Sequence, residues 1–359
     1  MTTPTRRTLL VAGLAGAGSV ASPAVLRARA SPLAWKMVTS WPKNLPGPGM
    51  TASRLARRIE VLSAGRITVA VYAAGELTPA LGVFDAVGEG TAELGHTASL
   101  FWGGKAPLAP FFTAAPFGLT PLEHMTWISH GGGQTHWDAL YAPFGIKPFM
   151  AGNTGFQMGG WFRERVTSLD DISGLKMRMP GLGGEVLSRL GATTVSVPPG
   201  EILPALQSGL IDAAEFLGPW SDRALGLSDV APYYAWPGFH EPNGSSECLV
   251  SIDAWNSIDD GLRAVIGNAC AAENAFSLAE SEWNNAHALR ELVTAGVTLF
   301  PYPADVLRAA RQAAEGLYDE LAAESRAARD LIASYRTARE SLSFWARKTS
   351  AALDAARAG

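Results

Sequence analysis

The stretch ISGLKMRMP at residues 172–180 places two cationic side chains in what otherwise reads as a core strand. Side chains of a strand alternate between its faces, so Met177 and Met179 share one face while Lys176 and Arg178 share the other. An edge strand with one wet face would explain this pattern. A cleft-facing Arg178 would explain it too, because a guanidinium group binds a carboxylate through two parallel hydrogen bonds. The local sequence leaves both interpretations open.

Three further segments supply oxygen atoms that suit a cation. Gln157 lies in the glycine-rich GNTGFQMGGWF, Glu215 ends the strand-like IDAAEF, and Glu241 lies in the turn WPGFHEP. Ligand sites of open α/β sheets form at the carboxyl ends of strands, where these residues can converge near Arg178. A monocarboxylate would balance Arg178 and a monovalent cation would balance Glu215, whereas a divalent ion would need Glu241 as well. The competing interpretation is a salt bridge from Glu215 to Arg178 with no metal.

Other catalytic patterns are incomplete. The run HGGG at 130–133 resembles the oxyanion-hole segment of lipases and esterases, whose chemistry also needs a serine in G-x-S-x-G. The nearest segments, GLSDV and GSSEC, both lack the second glycine. His124, His130 and His136 are spaced by six residues, which does not stack ligands on one helix face. An exported esterase therefore stays an alternative hypothesis, and a histidine zinc site is not expected.

The elements that would position these residues occur twice along the chain. Each copy reads as strand, helix, strand, helix, strand, and each helix stops at a glycine. The first copy runs LAWKMVTS, SRLARRIEVLSAGRITVAVYAAGE and VFDAVGEGTAELG, and the second runs SGLKMRMP, GGEVLSRLGATTVSVPPGE and ILPALQSGLIDAAEF. This alternation predicts two βαβαβ units with parallel strands, with chance similarity of two α/β segments as the alternative.

Two such units predict an α/β protein with two lobes and a ligand cleft between them, at the carboxyl ends of the strands. The first strands of the two copies are predicted at 34–39 and 174–179, which aligns Val38 with Arg178. Arg178 thus departs from its own repeat, and this favours its cleft-facing interpretation.

Residues 1–30 carry the pattern of an export signal. Arg6 and Arg7 precede a mildly apolar run, and ARA at 28–30 reads as an A-x-A cleavage site. The paired arginines favour the twin-arginine route. A retained N-terminal anchor is the alternative, although the run is glycine-rich and barely long enough to span a bilayer.

The charge of the chain excludes one class of partner. The 359 residues include 29 Lys and Arg against 33 Asp and Glu, and removal of residues 1–30 leaves 25 against 33, a net charge of −8. A nucleic-acid-binding protein is expected to be basic, so no nucleic-acid partner is expected.

Export permits a disulfide, and Cys248 and Cys270 are the only cysteines. Whether they pair stays open.

The C-terminal segment 304–359 is helical in pattern. Apolar residues recur at spacings of three and four from Leu307 to Trp345, which forms one continuous stripe. One straight helix over 306–356 would be about 75 Å long, whereas the radius of gyration of a body of about 300 residues is only about 19 Å. The segment must therefore kink, wrap its own body, or project towards a partner.

Together these segments resemble one known family. GLKMRMPGLGGEVLSRLGA, ALQSGLIDAAEF and WPGFHEP are similar to the DctP-type solute-binding subunits of tripartite ATP-independent periplasmic (TRAP) transporters. They are most similar to the branch that binds 2-oxo acids such as pyruvate, over nearly the whole chain from Trp35 onward. The resemblance implies a periplasmic binding protein and not an enzyme. Its two α/β lobes would close on a small organic acid and deliver it to the TRAP membrane permease subunits.

The resemblance also implies a role for each candidate residue. Arg178 would form a salt bridge with the substrate carboxylate, and Glu241 would lie at the same pocket. Gln157, Glu215 and the backbone of Phe216 would hold a cation, with sodium expected and calcium as the alternative. Gln157 and Phe216 would also contact the substrate. Relatives often carry Trp at the position of Phe216, so the size of the substrate stays open.

The resulting domain prediction has lobe I at 31–152 plus 243–303 and lobe II at 153–242. The helical segment 304–359 follows, and some relatives dimerise by exchanging this segment, which implies a homodimer. Besides the esterase, a metal-free binder of a larger carboxylate, such as a dicarboxylate or sugar acid, is the remaining alternative.

Overall fold

The computed structural model describes residues 31–358, and the predicted export signal at 1–30 lies outside them. The strands are β1 Leu33–Thr39, β2 Ile67–Tyr72, β3 Leu94–Thr97, β4 Ile146–Asn153, β5 Gly160–Phe162, β6 Lys176–Arg178, β7 Thr193–Val195, β8 Ala213–Ala214, β9 Tyr233–Trp236, β10 Ser245–Ser251 and β11 Thr298–Pro301. The helices are α1 Pro48–Leu62, α2 Val83–Gly88, α3 Pro121–His130, α4 Gly133–Tyr141, α5 Gly181–Arg189, α6 Ile202–Gln207, α7 Pro219–Ala224, α8 Ile252–Asn256, α9 Asp260–Thr294, α10 Ala304–Glu324, α11 Arg326–Lys348 and α12 Ser350–Ala358. None of these helices is long and apolar enough to cross a membrane.

The strands form two mixed sheets. The first has the order β2-β1-β3-β10-β4, and the second has the order β11-β9-β5-β8-β6-β7. In the first sheet β10 runs antiparallel to both of its neighbours, and in the second β5 does the same.

The predicted repeat is present in both sheets. The order β2-β1-β3 in the first sheet matches β7-β6-β8 in the second, and all four pairings are parallel. Val38 pairs with Gly95 in one copy, and Arg178 pairs with Ala214 in the other, as the sequence overlay requires. The predicted α/β fold with repeated βαβαβ units is confirmed. The edge-strand interpretation of 174–179 is wrong, because β6 has a neighbouring strand on each side.

The chain passes between the sheets in three places. Residues 154–159 lead from β4 to β5, residues 237–244 lead from β9 to β10, and α9 leads from the first sheet to β11. The 35-residue α9 packs against β4 and also against α7, so it braces both halves.

The lobe boundaries stay a prediction, but one strand lies elsewhere than expected. The sequence interpretation grouped 243–303 with the first lobe, whereas β11 pairs in parallel with β9 of the second sheet, with Thr298 opposite Tyr233. A parallel edge strand whose residues lie 65 positions after their partners leaves no local pattern in the sequence, and this is the reason for the difference.

The C-terminal segment forms three helices. Ser325 separates α10 from α11 and caps α11, because its side chain accepts the Ala328 N–H at 3.0 Å. The Tyr335 hydroxyl of α11 accepts the Leu119 N–H at 2.9 Å, which attaches this helix to the body. Beyond this point Phe344 and Trp345 are 60% and 66% exposed. The segment therefore kinks and wraps its own body first, and its last turns lie uncovered.

The two cysteines are buried thiols. Cys248 on β10 and Cys270 on α9 belong to one hydrophobic cluster. A hydrogen bond with the Cys248 thiol raises the pKa of Cys270 well above its usual range, and burial raises it further.

Candidate functional site

Arg178 ends strand β6 with its side chain 2% exposed. Its Nη1 donates to the backbone carbonyl of Glu215 at 2.6 Å and to the Oε1 carboxylate atom of the same residue at 2.5 Å. Its Nε donates to the carbonyl of Val197 at 3.2 Å. Within residues 31–358 no group accepts a hydrogen bond from Nη2. One side of a buried guanidinium group is therefore held by the protein, and the other side remains free to bind an anion.

Glu215 follows strand β8 and is 1% exposed. Besides Arg178, it contacts His240, whose Nε2 lies 3.2 Å from Oε2. The salt bridge to Arg178 that the sequence offered as an interpretation is thus present. The salt bridge uses Oε1, and Oε2, which contacts His240, has a second lone pair that could bind a cation.

Glu241 completes a group of three titratable side chains. One ligand atom from each of Glu215, His240 and Glu241 lies within 4.8 Å of the others, and all three residues are buried. Burial raises the pKa of Glu241 well above its usual range, and the negative charge of Glu215 raises it further, while Arg178 lowers it. Two acids held this close favour a shared proton or a cation between them.

Gln157 contributes an amide oxygen to the same place. The side chain is 5% exposed, its Nε2 lies 3.4 Å from the Thr154 hydroxyl, and its Oε1 has no hydrogen-bond partner within the described chain. A Cβ atom on Gly244 would lie 2.2 Å from Gln157 Nε2, so glycine at this position makes room for the amide. A buried acceptor without a donor is costly, unless a ligand or cation satisfies it.

Phe216 supplies a wall and a backbone carbonyl. The guanidinium carbon of Arg178 lies 5.8 Å from the ring centroid. The side chain is 4% exposed and packs in the core of the second sheet.

These residues meet in a cleft of about 370 Å³ that is partly open to solvent. Trp41, Leu100 and Phe101, from segments that follow β1 and β3, line one side, and Arg178 and Glu215 line the other. The carboxyl ends of both repeats therefore face one space, as the sequence overlay predicted. All five predicted site residues, Gln157, Arg178, Glu215, Phe216 and Glu241, line this cleft.

The donor set fits a cation. Carboxylate oxygens, an amide oxygen and a backbone carbonyl are the ligands that sodium and calcium accept. Within residues 31–358 the Gln157 oxygen lacks a partner, and the two buried carboxylates face one guanidinium group, that of Arg178. Gln157, Glu215, Glu241 and the Phe216 carbonyl could hold such an ion.

Sequence reasoning missed His240. The side chain is fully buried and touches Glu215, and its Nδ1 has no partner within residues 31–358. The available signal was its position directly before Glu241 in WPGFHEP. His124 is also buried, but it serves the structure, because its Nδ1 lies 2.8 Å from the Asn243 amide nitrogen, and burial lowers its pKa to about 4.

The HGGG segment lies away from this cleft. His130, Gly131 and Gly132 are exposed and connect α3 to α4, with Gly132 at a φ of 88°. They serve as a break between two helices.

Comparison with known proteins places the chain in a family. A family model described as bacterial extracellular solute-binding protein, family 7 (DctP) matches residues 37–325. The chain is 40% identical, over 313 residues, to the monocarboxylate 2-oxoacid-binding periplasmic protein of a Nostoc species. The alignment covers 87% of this chain and 86% of that protein.

Two solved structures are similar throughout. A TRAP transporter solute-binding protein from Bordetella bronchiseptica superimposes with a TM-score of 0.88 at 36% identity, covering 91% of this chain and 99% of that one. It is a mixed-occupancy dimer, with copurified calcium and picolinate in one active site and the other site apo. A TRAP periplasmic solute-binding protein from Pseudoalteromonas atlantica, with bound sodium and pyruvate, gives 0.87 at 34% identity, covering 90% and 98%. The chain therefore belongs to the DctP family of bacterial extracellular solute-binding proteins.

Proposed function

We propose that this protein captures a small 2-oxo monocarboxylate, such as pyruvate, in the periplasm and delivers it to a TRAP membrane permease. The observation that carries the proposal is the buried Arg178, whose Nη2 has no acceptor in the described part of the chain, next to the carboxylates of Glu215 and Glu241. A guanidinium group held in this way would bind the ligand carboxylate through the unoccupied side of its fork.

A cation would orient the second donor atom of the ligand. Pyruvate carries a 2-oxo oxygen beside its carboxylate, and picolinate carries a ring nitrogen in the same relation. Both ligands occur with a cation in the similar structures described above. We infer that Gln157, Glu215 and the Phe216 carbonyl hold the cation, while Gln157, Phe216 and Glu241 contact the ligand.

Charge balance connects the cation to Glu241. Arg178, Glu215 and a monocarboxylate sum to −1, which sodium neutralises if Glu241 keeps its proton. Calcium neutralises the same set if Glu241 is ionised. The raised pKa of Glu241 favours the first arrangement at neutral pH.

Binding would be coupled to closure of the two halves. The segments 154–159 and 237–244 connect the two sheets and carry Gln157, His240 and Glu241. A ligand that binds these residues therefore contacts the connecting segments themselves. A ligand that touches both halves favours the closed state. The permease would then bind the closed state. No turnover of the ligand is part of this function.

Two further assignments belong to the proposal. Residues 1–30 would direct export by the twin-arginine route, on the basis of Arg6 and Arg7. The uncovered end of α11, with Phe344 and Trp345, would contact a second copy in a homodimer.

Titration calorimetry on protein stripped of ligand by unfolding and refolding tests this function. Pyruvate, a longer 2-oxo acid and a dicarboxylate are titrated in sodium chloride, in calcium chloride and in choline chloride. We expect pyruvate binding at micromolar or lower Kd that requires sodium or calcium. Tight binding in choline chloride would instead indicate a metal-free carboxylate binder, and hydrolysis of an ester would indicate the esterase.

A further inference from the structure

We propose that Asp222 is a positioning residue that aims the Phe216 carbonyl into the cleft and thereby sets the affinity for the cation. This inference rests on the proposed function, since it concerns one of the proposed cation ligands. Asp222 itself does not line the cleft.

Asp222 lies in α7 and is 1% exposed. Its Oδ2 accepts hydrogen bonds from Trp161 Nε1 at 2.9 Å and from the Tyr234 hydroxyl at 2.7 Å. Its Oδ1 accepts the backbone N–H of Leu217 at 3.0 Å. The rings of Trp161 and Tyr234 stack with centroids 3.8 Å apart, so both donors are fixed by packing. Trp161 and Tyr234 therefore fix the position of the Asp222 carboxylate through Oδ2, and the carboxylate fixes the Leu217 N–H through Oδ1.

The Leu217 N–H and the Phe216 carbonyl belong to the same peptide unit. In a trans peptide these two groups lie in one plane and point in opposite directions. An N–H directed at Asp222 thus directs the carbonyl away from Asp222. Phe216 and Leu217 line the cleft whereas Asp222 does not, so we infer that the carbonyl faces the cleft.

The carbonyls on either side of Phe216 already accept hydrogen bonds from the protein. The Glu215 carbonyl accepts from Arg178 at 2.6 Å, the Leu217 carbonyl from the Met158 N–H at 3.4 Å, and the Gly218 carbonyl from the Asp222 N–H at 3.0 Å. Within residues 31–358 no group donates to the carbonyl of Phe216. Of four successive carbonyls, the one that Asp222 orients is the one left for a ligand.

A carboxylate suits this position because all three of its partners are donors. Trp161 Nε1 and the Leu217 N–H can only donate, while the Tyr234 hydroxyl can reverse its role. In Asp222→Asn the new NH₂ group faces either the Leu217 N–H or Trp161 Nε1, and both are donors. We expect the amide oxygen to stay with Trp161 and Tyr234, where it accepts two hydrogen bonds, so the NH₂ turns towards Leu217. The substitution thus keeps the shape and removes the hold on the peptide.

The matched control is Trp161→Phe, which removes one donor to Oδ2 and leaves the Leu217 bond intact. The double variant Trp161→Phe with Asp222→Asn lets the amide oxygen face Leu217 and lets the NH₂ face Tyr234. The double variant therefore restores the hydrogen bond to the Leu217 N–H while the packing of Trp161 remains lost, so the two effects can be measured separately.

The test is calorimetric titration of calcium chloride, and of sodium chloride, into cation-free protein in a buffer that contains a fixed excess of pyruvate, with Tm measured in parallel. We expect Asp222→Asn to weaken cation binding at least tenfold, Trp161→Phe to bind as the wild type despite a lower Tm, and the double variant to recover most of the lost affinity. This pattern distinguishes positioning from general destabilisation, which would follow Tm in all three variants.

Wild-type cation affinity in Asp222→Asn, or a loss in all variants that follows Tm, would overturn the positioning role while leaving the proposed function intact. If Asp222→Asn does not fold, the double variant alone decides. A cation affinity well below that of Trp161→Phe would then overturn the positioning role. Pyruvate binding by the wild type without any cation would overturn the proposed cation site, and the role of Asp222 with it.

Discussion

Arg178 binds Glu215 twice through a single nitrogen, since Nη1 donates to both the carbonyl and the carboxylate of that residue. Backbone and side chain of Glu215 are thus fixed by one guanidinium group. The same contact leaves Nη2 without an acceptor among residues 31–358, and Arg178 lines the cleft. The proposed site depends on this relationship, and most of the predictions below perturb it or its surroundings.

Replacing Arg178 by Lys should weaken pyruvate binding at least about 30-fold. Lys retains the charge that Glu215 requires but cannot reach both Glu215 and the ligand with a fork. Calorimetry on Arg178→Lys measures the loss. Lys176→Ala, on the exposed end of the same strand, is the control and should bind as the wild type. Equal affinity in the Arg178 variant would remove the carboxylate role of Arg178.

Replacing Gln157 by Glu should shift the cation preference towards calcium. A third acid in the group of Glu215 and Glu241 adds one negative charge, which a divalent ion balances better than sodium. The ratio of the sodium Kd to the calcium Kd should rise by roughly tenfold, or about 1.4 kcal/mol. Gln312→Glu, exposed on α10, adds the same charge elsewhere and should leave the ratio unchanged. No change in the Gln157 variant would exclude its amide as a ligand.

Adding a methyl group at Gly244 should reduce binding more than stability. The new Cβ would lie 2.0 Å from the Thr154 hydroxyl and 2.2 Å from Gln157 Nε2, so both side chains must move. We expect at least about a tenfold loss of pyruvate affinity in Gly244→Ala. Gly316→Ala in α10 meets no atom within 4 Å. It should increase the free energy of unfolding by about 1 kcal/mol, through the better helix propensity of Ala, and so raise Tm. Full affinity in Gly244→Ala would show that Gln157 does not need its observed position.

Glu247 should make the protein less stable as the pH rises. Burial raises its pKa from 4.5 to about 8, against hydrogen bonds from Trp102 and Tyr141. Above pH 4.5 the unfolded chain loses this proton while the folded chain keeps it, so the folded state loses about 1.4 kcal/mol per pH unit until the pH reaches the folded pKa. Glu247→Gln carries no such proton. Its free energy of unfolding relative to the wild type should therefore rise by roughly 3.5 kcal/mol between pH 5 and pH 8, since the slope flattens near the folded pKa.

Denaturant unfolding at several pH values measures this difference. Glu340→Gln, exposed on α11, is the control and should follow the wild type throughout. Parallel curves for Glu247→Gln and the wild type would contradict the raised pKa.

The repeat was the strongest sequence signal. It predicted the order of three strands in each sheet and aligned Arg178 with Val38, because glycine stops and alternating apolar residues are local patterns. The edge-strand interpretation of Arg178 was undecidable from the same stretch. Whether a strand has one neighbour or two depends on segments far away in the chain, such as β8.

The missed residues share one property. His240 and Asp222 act through partners on other elements, Glu215 in one case and Trp161, Tyr234 and Leu217 in the other. Such contacts have no period or spacing in the sequence. The break at Ser325 could have been predicted, since serine is a preferred N-cap residue and it begins a helical pattern there.

The late arrival of β11 has a consequence for how the protein can be divided. A fragment ending at Pro242 would contain most of the second sheet but would leave β9 as a bare edge, with unpaired N–H and C=O groups open to other chains. During synthesis β9 likewise has no β11 to pair with until residue 301 has been made. The second sheet is therefore complete only after α9 has been made, so the second half cannot finish folding before residues 243–301 follow it.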